Sequence, residues 1–377
     1  MNKIPPFDVS EQFKIIGAEI NAAALNVLAS GRYIGGATVE TFEQQFANYI
    51  GTSECIACNS GTDALYLALR ALNLGAGDEV ITTPFTFVAT AEVISAVGAT
   101  PVFVDIEAHT FNLDLAQVEA AITPRTKAII PVHLFGQPVD MTRLMAIAQA
   151  HNLTIVEDCA QATGAEWAGS RVGSIGQIGC FSFYPTKNLG ACGDGGAITT
   201  NDPEIANRLR RLRDHGRQGG YFYEELGVNS RLDAIQAAIL QVKLAYLDGW
   251  NQQRQVVAER YQALLQSISA LVLPQPLEGG RSVWNQYTVR VTAPSSAPAE
   301  SFRDTLRQRL QEAGVTTMVY YPLCLHLQPA YKSLGYQPGQ LPVAERASQE
   351  VLSLPMFPEL SQEQQDQVVY SLKDCLL

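Results

Sequence analysis

Short apolar runs alternate with helical patterns over the first two thirds of the chain. The runs 54–58, 79–83, 101–105, 128–132 and 153–157 are apolar and of strand length. Between them, 64–74, 90–97 and 141–151 place apolar residues at helical spacing. Strands separated by such helices predict parallel pairing, because a parallel strand needs a long crossover. The runs 179–184 and 197–200 predict a hairpin-like close to this series. The pattern then changes. Leu232, Ile235, Ile239, Val242 and Tyr246 recur at spacings of three and four, one apolar face of a long helix, and helical character continues over 255–265. A strand over 286–291 and helices over 299–313, 343–352 and 362–372 follow. This predicts an α/β fold: a large domain over 1–250 with a mostly parallel, helix-flanked sheet, and a smaller α+β domain over 251–377. Residues 1–30 are free to pack on the smaller domain.

The 377 residues are ample for two cores without metal or disulfide staples. With 47% hydrophobic and 17% charged residues, the chain is not a disordered one. Its 26 basic and 37 acidic residues give a formal net charge of −11. Phosphate contact wants a basic field, so neither nucleic acid nor an anionic membrane is an expected partner. No apolar run reaches the roughly 18 residues of a membrane span. The start, Met1-Asn2-Lys3-Ile4-Pro5-Pro6, lacks the apolar block of a secretory signal, and a cytoplasmic location is expected. Seven scattered cysteines, mostly inside apolar segments, read as reduced, buried thiols. Cys55 and Cys58 form a C-x-x-C, but Cys55-Ile56-Ala57-Cys58 also reads as a strand. No second cysteine pair or histidine cluster completes a metal site, and no metal is expected.

Three stretches carry candidate chemistry. Lys187 lies in Ser182-Phe183-Tyr184-Pro185-Thr186-Lys187-Asn188-Leu189-Gly190, where Pro185 ends a strand and Gly190, Gly193, Gly195 and Gly196 follow. A lysine in a snug apolar turn has its amine pKa lowered, which Schiff-base chemistry requires; a solvated loop lysine is the plain alternative. Asp158 follows the strand 153–157 at its carboxyl end, where open α/β sheets bind ligands. Alternation puts Glu157 and Asp158 on opposite faces, so one of them serves a given pocket. A buried carboxylate there needs a cation, and the ring nitrogen of pyridoxal phosphate supplies one. A capping aspartate is the alternative. Asn59-Ser60-Gly61-Thr62-Asp63 is a strand-to-helix junction whose free amides and hydroxyls suit a phosphate, or merely an N-cap.

The three together, in this chain order on strand ends, resemble the fold-type-I pyridoxal phosphate enzymes. Within them the chain is similar to the DegT/DnrJ/EryC1/StrS sugar aminotransferases. The matching stretches are NSGTDAL (59–65), TPFTFVATA (83–91), VHLFGQPVDM (132–141), VEDCAQA (156–162), SFYPTKNLGACGDGGAI (182–198), GVNSRLDAIQAAIL (227–240) and LHLQPAY (325–331). The resemblance implies a seven-stranded, mostly parallel sheet in the large domain. It implies Lys187 as the Schiff-base lysine and proton carrier, and Asp158 as partner of the pyridinium nitrogen. Gln161 would reach the ring hydroxyl, and Phe87 would stack on the ring. Gly61, Thr62 and Ser182 would hold the phosphate. Asn229 would reach the phosphate of the other subunit's cofactor, making a homodimer the working unit. Relatives that replace the lysine by histidine are dehydratases, and the presence of Lys187 disfavours that branch.

The resemblance further implies transfer of an amino group from L-glutamate to a ketone on a nucleotide-diphosphate sugar. The cofactor alternates between pyridoxal 5′-phosphate and pyridoxamine 5′-phosphate. An acidic protein that binds a diphosphate must offer local basic groups, and Arg32, Arg217, Arg231 and His326 are the candidates. Tyr33, Tyr184, Tyr221 and Tyr321 are candidates for lining the sugar pocket. Asn229-Ser230-Arg231-Leu232-Asp233 looks like the subgroup that aminates C-3 of dTDP-linked 3-keto-6-deoxyhexoses, since members acting on C-4 more often show an aromatic in place of Ser230. Cys324 stands near the expected pocket rim where that family suggests proline, and no histidine stands near 224. Two alternatives are amination at C-4 of a 4-keto sugar and a cofactor-binding sensor without turnover.

Overall fold

The computed structural model describes residues 3–293 and 298–376. The first two residues of the start inspected for a signal, and the last residue of the expected small domain, lie outside them. Seven strands form the main sheet: β1 (Glu54–Cys58), β2 (Glu79–Thr82), β3 (Thr100–Phe103), β4 (Thr126–Ile129), β5 (Thr154–Asp158), β6 (Ile178–Ser182) and β7 (Gly196–Thr200). Their spatial order is β1-β7-β6-β5-β4-β2-β3. β7 runs antiparallel to both neighbours, and every other pairing is parallel. The central strands are buried along nearly their whole length, as a parallel sheet covered on both faces must be.

Helices α1 (Ser10–Ser30), α2 (Ala37–Ile50), α3 (Gly61–Ala71), α4 (Ala89–Ala96), α5 (Leu115–Ala121), α6 (Met141–His151) and α7 (Pro203–Leu212) surround or flank the sheet. Helix α3 begins three residues before the apolar period predicts, because Ser60 caps it. The long helix expected from Leu232 onward is two, α8 (Ala234–Leu244) and α9 (Leu247–Leu265). Helices α1, α2, α5 and α7 were not anticipated. In α7 only Ala206, Leu209 and Leu212 are buried, a stripe too narrow to stand out among its arginines.

A second sheet, β8 (Leu271–Val272), β9 (Tyr287–Val291) and β10 (Val351–Leu354), is antiparallel throughout. Helices α10 (Ala299–Glu312), α11 (Pro342–Glu350) and α12 (Gln362–Leu376) pack around it. The helix expected over 343–352 therefore stops at Glu350 and gives way to β10. The second core gathers Tyr261, Val289, Leu310, Leu352, Val368 and Leu372.

The domain boundary expected at residue 250 does not coincide with a gap between elements. It falls inside α9, which gives Leu247 to the core of the main sheet and Val257 and Tyr261 to the second core. Residues 3–30 divide as well. Ile4 bridges to Val315 and lies in the second core, whereas Ile16 and Ile20 of α1 pack on Ile239 and Trp250. All seven cysteines are free, and Cys55 and Cys58 sit buried in β1. Among the described residues no helix is long and apolar enough to cross a membrane.

Close backbone approach explains one glycine under the site. A Cβ on Gly179 would stand 2.4 Å from Gly173 Cα and 2.6 Å from Thr199 Oγ1. Gly179→Ala should therefore cost about 1–3 kcal/mol of stability, as overpacking does. Gly219→Ala, where no atom lies within 4 Å, should be close to neutral. Urea unfolding of the two variants checks the contrast.

Candidate active site

The phosphate candidate is built at the start of α3. Ser60 Oγ accepts from Asp63 N (3.1 Å) and Ser60 O accepts from Ala64 N (3.0 Å). Those bonds leave the Gly61 and Thr62 amides pointing out of the helix end without an intrahelical partner. Ser60 itself is spent on the cap. Gly61 is bare for a reason: a Cβ there would lie 2.6 Å from Ser182 Cβ. The helix end is thus drawn against the end of β6. Two free amides stand with the Thr62 hydroxyl beside Ser182, a set of donors suited to an anion.

The end of β5 separates two carboxylates. Glu157 turns below the sheet, fully buried. It accepts from Gly173 N (2.9 Å), Ile175 N (2.9 Å) and Gly176 N (2.7 Å), and meets His133 Nε2 at 3.0 Å. His133 Nδ1 accepts from Val139 N (3.1 Å), so the proton resides on Nε2 and points at Glu157. The close group His133, Glu157 and Cys159 is therefore a satisfied structural knot, and its donors are engaged rather than free for a metal. Asp158 faces the other way. Its Oδ2 accepts from Thr90 Oγ1 (2.8 Å) and its Oδ1 from Ala160 N (3.1 Å). Burial raises its pKa against the lowering pull of these donors and of Lys187.

Lys187 stands on a tight turn after β6. Its N–H donates to Tyr184 O (2.8 Å), and Ala191 N donates to Phe183 O (2.8 Å). Burial lowers the amine to about 8, and the Asp158 carboxylate offsets part of that shift. An amine at this value holds far more of the neutral, nucleophilic form near neutral pH than an ordinary lysine does.

The other candidates divide. Phe87 is 56% exposed just before α4, an open aromatic face and not a core residue. Gln161 is buried, accepting from Phe135 N (2.7 Å) and donating to Tyr321 OH (3.0 Å), so Tyr321 joins the site through it. Tyr184 is exposed beside Lys187. Asn229 is exposed, as are Tyr33 and Tyr221, and Arg32 as well. Arg217 and Arg231 share Asp214 (3.5 and 3.0 Å), which neutralises part of the expected basic cluster. His326 corrects the expectation of a substrate contact. It is 1% exposed, pairs with Glu345 (3.2 Å), and lies beside Phe103 and Tyr336. Cys324 is not at a rim either; it is buried with Phe85, Val132 and Ala344. The sequence reading missed Thr90, the hydroxyl that orients Asp158, although it stands in the quoted stretch TPFTFVATA.

The family model described as the DegT/DnrJ/EryC1/StrS aminotransferase family matches residues 14–373. The chain belongs to that family. It is 50% identical to a Geobacillus stearothermophilus protein named pleiotropic regulatory protein, over 98% of each chain. It is 44% identical to the dTDP-3-amino-3,4,6-trideoxy-α-D-glucose transaminase of Streptomyces venezuelae, over 99% of this chain and 96% of that one. Identity is 45% to the UDP-N-acetyl-3-dehydro-α-D-glucosamine 3-aminotransferase of Acidithiobacillus ferrooxidans, over 96% and 95%. The solved structure of S. venezuelae DesV in complex with a ketimine intermediate matches with a TM-score of 0.95 at 44% identity, over 99% and 98%. The protein is a sugar aminotransferase that works with pyridoxal 5′-phosphate and its pyridoxamine form. The residues present fit that cofactor: a buried carboxylate wanting a cation, a deprotonatable amine, and a helix end left bare by Gly61.

Two variants should separate the neighbouring carboxylates. Glu157→Ala strands three buried amides and should destabilise the protein by at least about 3 kcal/mol in urea unfolding. Asp158→Asn should keep the fold. It removes the charge that raises the Lys187 amine, so the pH midpoint for reductive methylation of Lys187 in cofactor-free protein should fall below about 8.

Proposed function

We propose that the protein transfers an amino group from L-glutamate to C-3 of a nucleotide-diphosphate keto-sugar, a dTDP-linked 3-keto-6-deoxyhexose in the first instance, and does so as a homodimer. The observation that carries the reaction is the Lys187 amine, lowered to about 8 by burial and facing the Asp158 charge. When bound, the cofactor supplies an electron sink for the carbon that gains or loses its proton. Asp158 would hold the proton on the ring nitrogen. Thr90 orients that carboxylate. Lys187 Nζ would take the proton from one carbon and return it to the other. The amides of Gly61 and Thr62, with Ser182, would bind the phosphate, and the open ring of Phe87 would exclude water from one face.

Two features support C-3. Ser230 is fully buried, with its Oγ donating to Asn59 Oδ1 (3.0 Å), so the position that more often holds an aromatic in enzymes acting on C-4 is here a hydrogen-bonded serine. Two of the relatives quoted above, the S. venezuelae and A. ferrooxidans enzymes, are named for an amino group at position 3 of the sugar. The dimer is supported by what one chain leaves uncovered: Asn229, and the hairpin with Tyr221, Phe222 and Tyr223, 53–88% exposed. The open cation Arg32 and the half-engaged Arg217 and Arg231 are the groups offered to a diphosphate.

Single-turnover absorbance with L-glutamate tests this. The band of bound pyridoxal phosphate should give way to that of the pyridoxamine form, and borohydride should label Lys187. A panel of 3-keto and 4-keto sugars on dTDP and UDP should then show fastest turnover with the dTDP-linked 3-keto sugar. A stable band in the presence of glutamate would favour a sensor, and a preference for 4-keto sugars would overturn the C-3 assignment.

A further inference from the structure

Three buried asparagines lie under the turn that presents Lys187. Asn251 of α9 donates from Nδ2 to Thr163 O (3.1 Å). Asn188, the residue after Lys187, donates from Nδ2 to Asn251 Oδ1 (2.7 Å) and to Val283 O (2.9 Å). Asn285 donates from Nδ2 to Asn188 Oδ1 (2.8 Å). Asn188, Asn251 and Asn285 are 4%, 7% and 5% exposed.

The run has one polarity, and two backbone carbonyls impose it. A carboxamide can normally flip, because its oxygen and nitrogen are alike in size. Thr163 O only accepts, so Asn251 must turn its Nδ2 there and its Oδ1 toward Asn188. Val283 O likewise accepts, so Asn188 must turn Nδ2 down and Oδ1 toward Asn285. Gly164 makes the passage: at φ +92° it carries no Cβ, and one built there would lie 2.7 Å from Asn251 Nδ2.

The run connects segments distant in sequence. Thr163 ends the loop that begins at Asp158 and includes Gln161. Asn251 lies on the helix shared by both cores, and Val283 and Asn285 lead into β9. The bonds therefore fix the distance between the turn of Lys187 and the loop of Asp158. A long, flexible lysine side chain reaches only as accurately as its backbone is held. A misplacement of about 1 Å at a reacting group costs on the order of 100-fold in rate.

We propose that Asn188, held in a single orientation by Asn251 and Val283, is a positioning residue that fixes the turn from which Lys187 reaches toward Asp158. The proposal rests on Lys187 being the reacting amine, and it goes beyond the choice of sugar.

The test is Asn188→Leu in the full chain, which keeps the bulk and removes the bonds. Reductive methylation of Lys187 against pH, followed by peptide mass in cofactor-free protein, should show the midpoint rising from about 8 toward the ordinary lysine value of 10.5, as the freed amine gains solvent. Asp158 is the charge that acts on this amine, and the substitution leaves it in place. In the loaded enzyme kcat should fall at least ~10-fold with the KM for L-glutamate unchanged. Asn251→Leu should shift the midpoint in the same direction, and the double variant no further than Asn188→Leu alone. A lower melting temperature with an unmoved midpoint would reduce Asn188 to packing and overturn the proposal. Additive shifts would overturn the connected run. If Asn188→Leu does not fold, Asn251→Leu and Asn285→Ala give the same readout, and an unmoved midpoint in both is equally fatal. The midpoint reads the amine itself, so a chain inactive on every sugar tested would still show the shift, which keeps a failure of the function reading distinct.

Discussion

Strand alternation at the end of β5 is the constraint on which the site depends. Two acidic residues in succession must face opposite sides of a pleated sheet. Glu157 goes down, where three backbone amides and His133 surround it. Those bonds anchor the 173–176 turn beneath the strand. With Glu157 held, Asp158 has no choice of direction and stands above the sheet, where Thr90 sets its angle. One carboxylate holds the backbone still so that the next can serve chemistry. The cost of burying the first is met by its donors, whereas the second is left partly unsatisfied, the condition in which a carboxylate draws a cation.

Burial acts in opposite senses on the two ends of the site. It raises the Asp158 carboxyl and lowers the Lys187 amine, since each loses hydration of its charged form. Their mutual attraction pulls both partway back. The helix end at Gly61 and Thr62 adds a positive potential without adding a titrating group, so an acidic protein of net charge −11 still offers a local seat for an anion.

Much of this was legible in the chain. Strand-end placement of Lys187 and Asp158 follows from apolar runs ending in a proline turn and in an acidic pair, both local signals. The large sheet follows from periodicity. What the sequence hid depends on residues that come from afar. His326 reads as a free cation until Glu345 rises from α11 to meet it. Arg217 and Arg231 read as a basic pair until Asp214 lies between them. Ser60 reads as a phosphate hydroxyl until the cap geometry uses it. The break between α8 and α9 is silent because both sides keep the apolar period. Such details are set by tertiary neighbours that no short window contains.

Helix α9 has a consequence for how the molecule can be divided. Its first turn closes the core under the main sheet and its later turns build the second core. Scission of the gene at residue 250 would take Leu247 to one fragment and Val257 and Tyr261 to the other, and would leave the Ile4 segment on the fragment that lacks its core. Neither piece would then own a complete interior. The two sheets are architecturally distinct and yet form a single unit of inheritance: recombination between relatives would have to exchange them together or graft through a rigid helix in register.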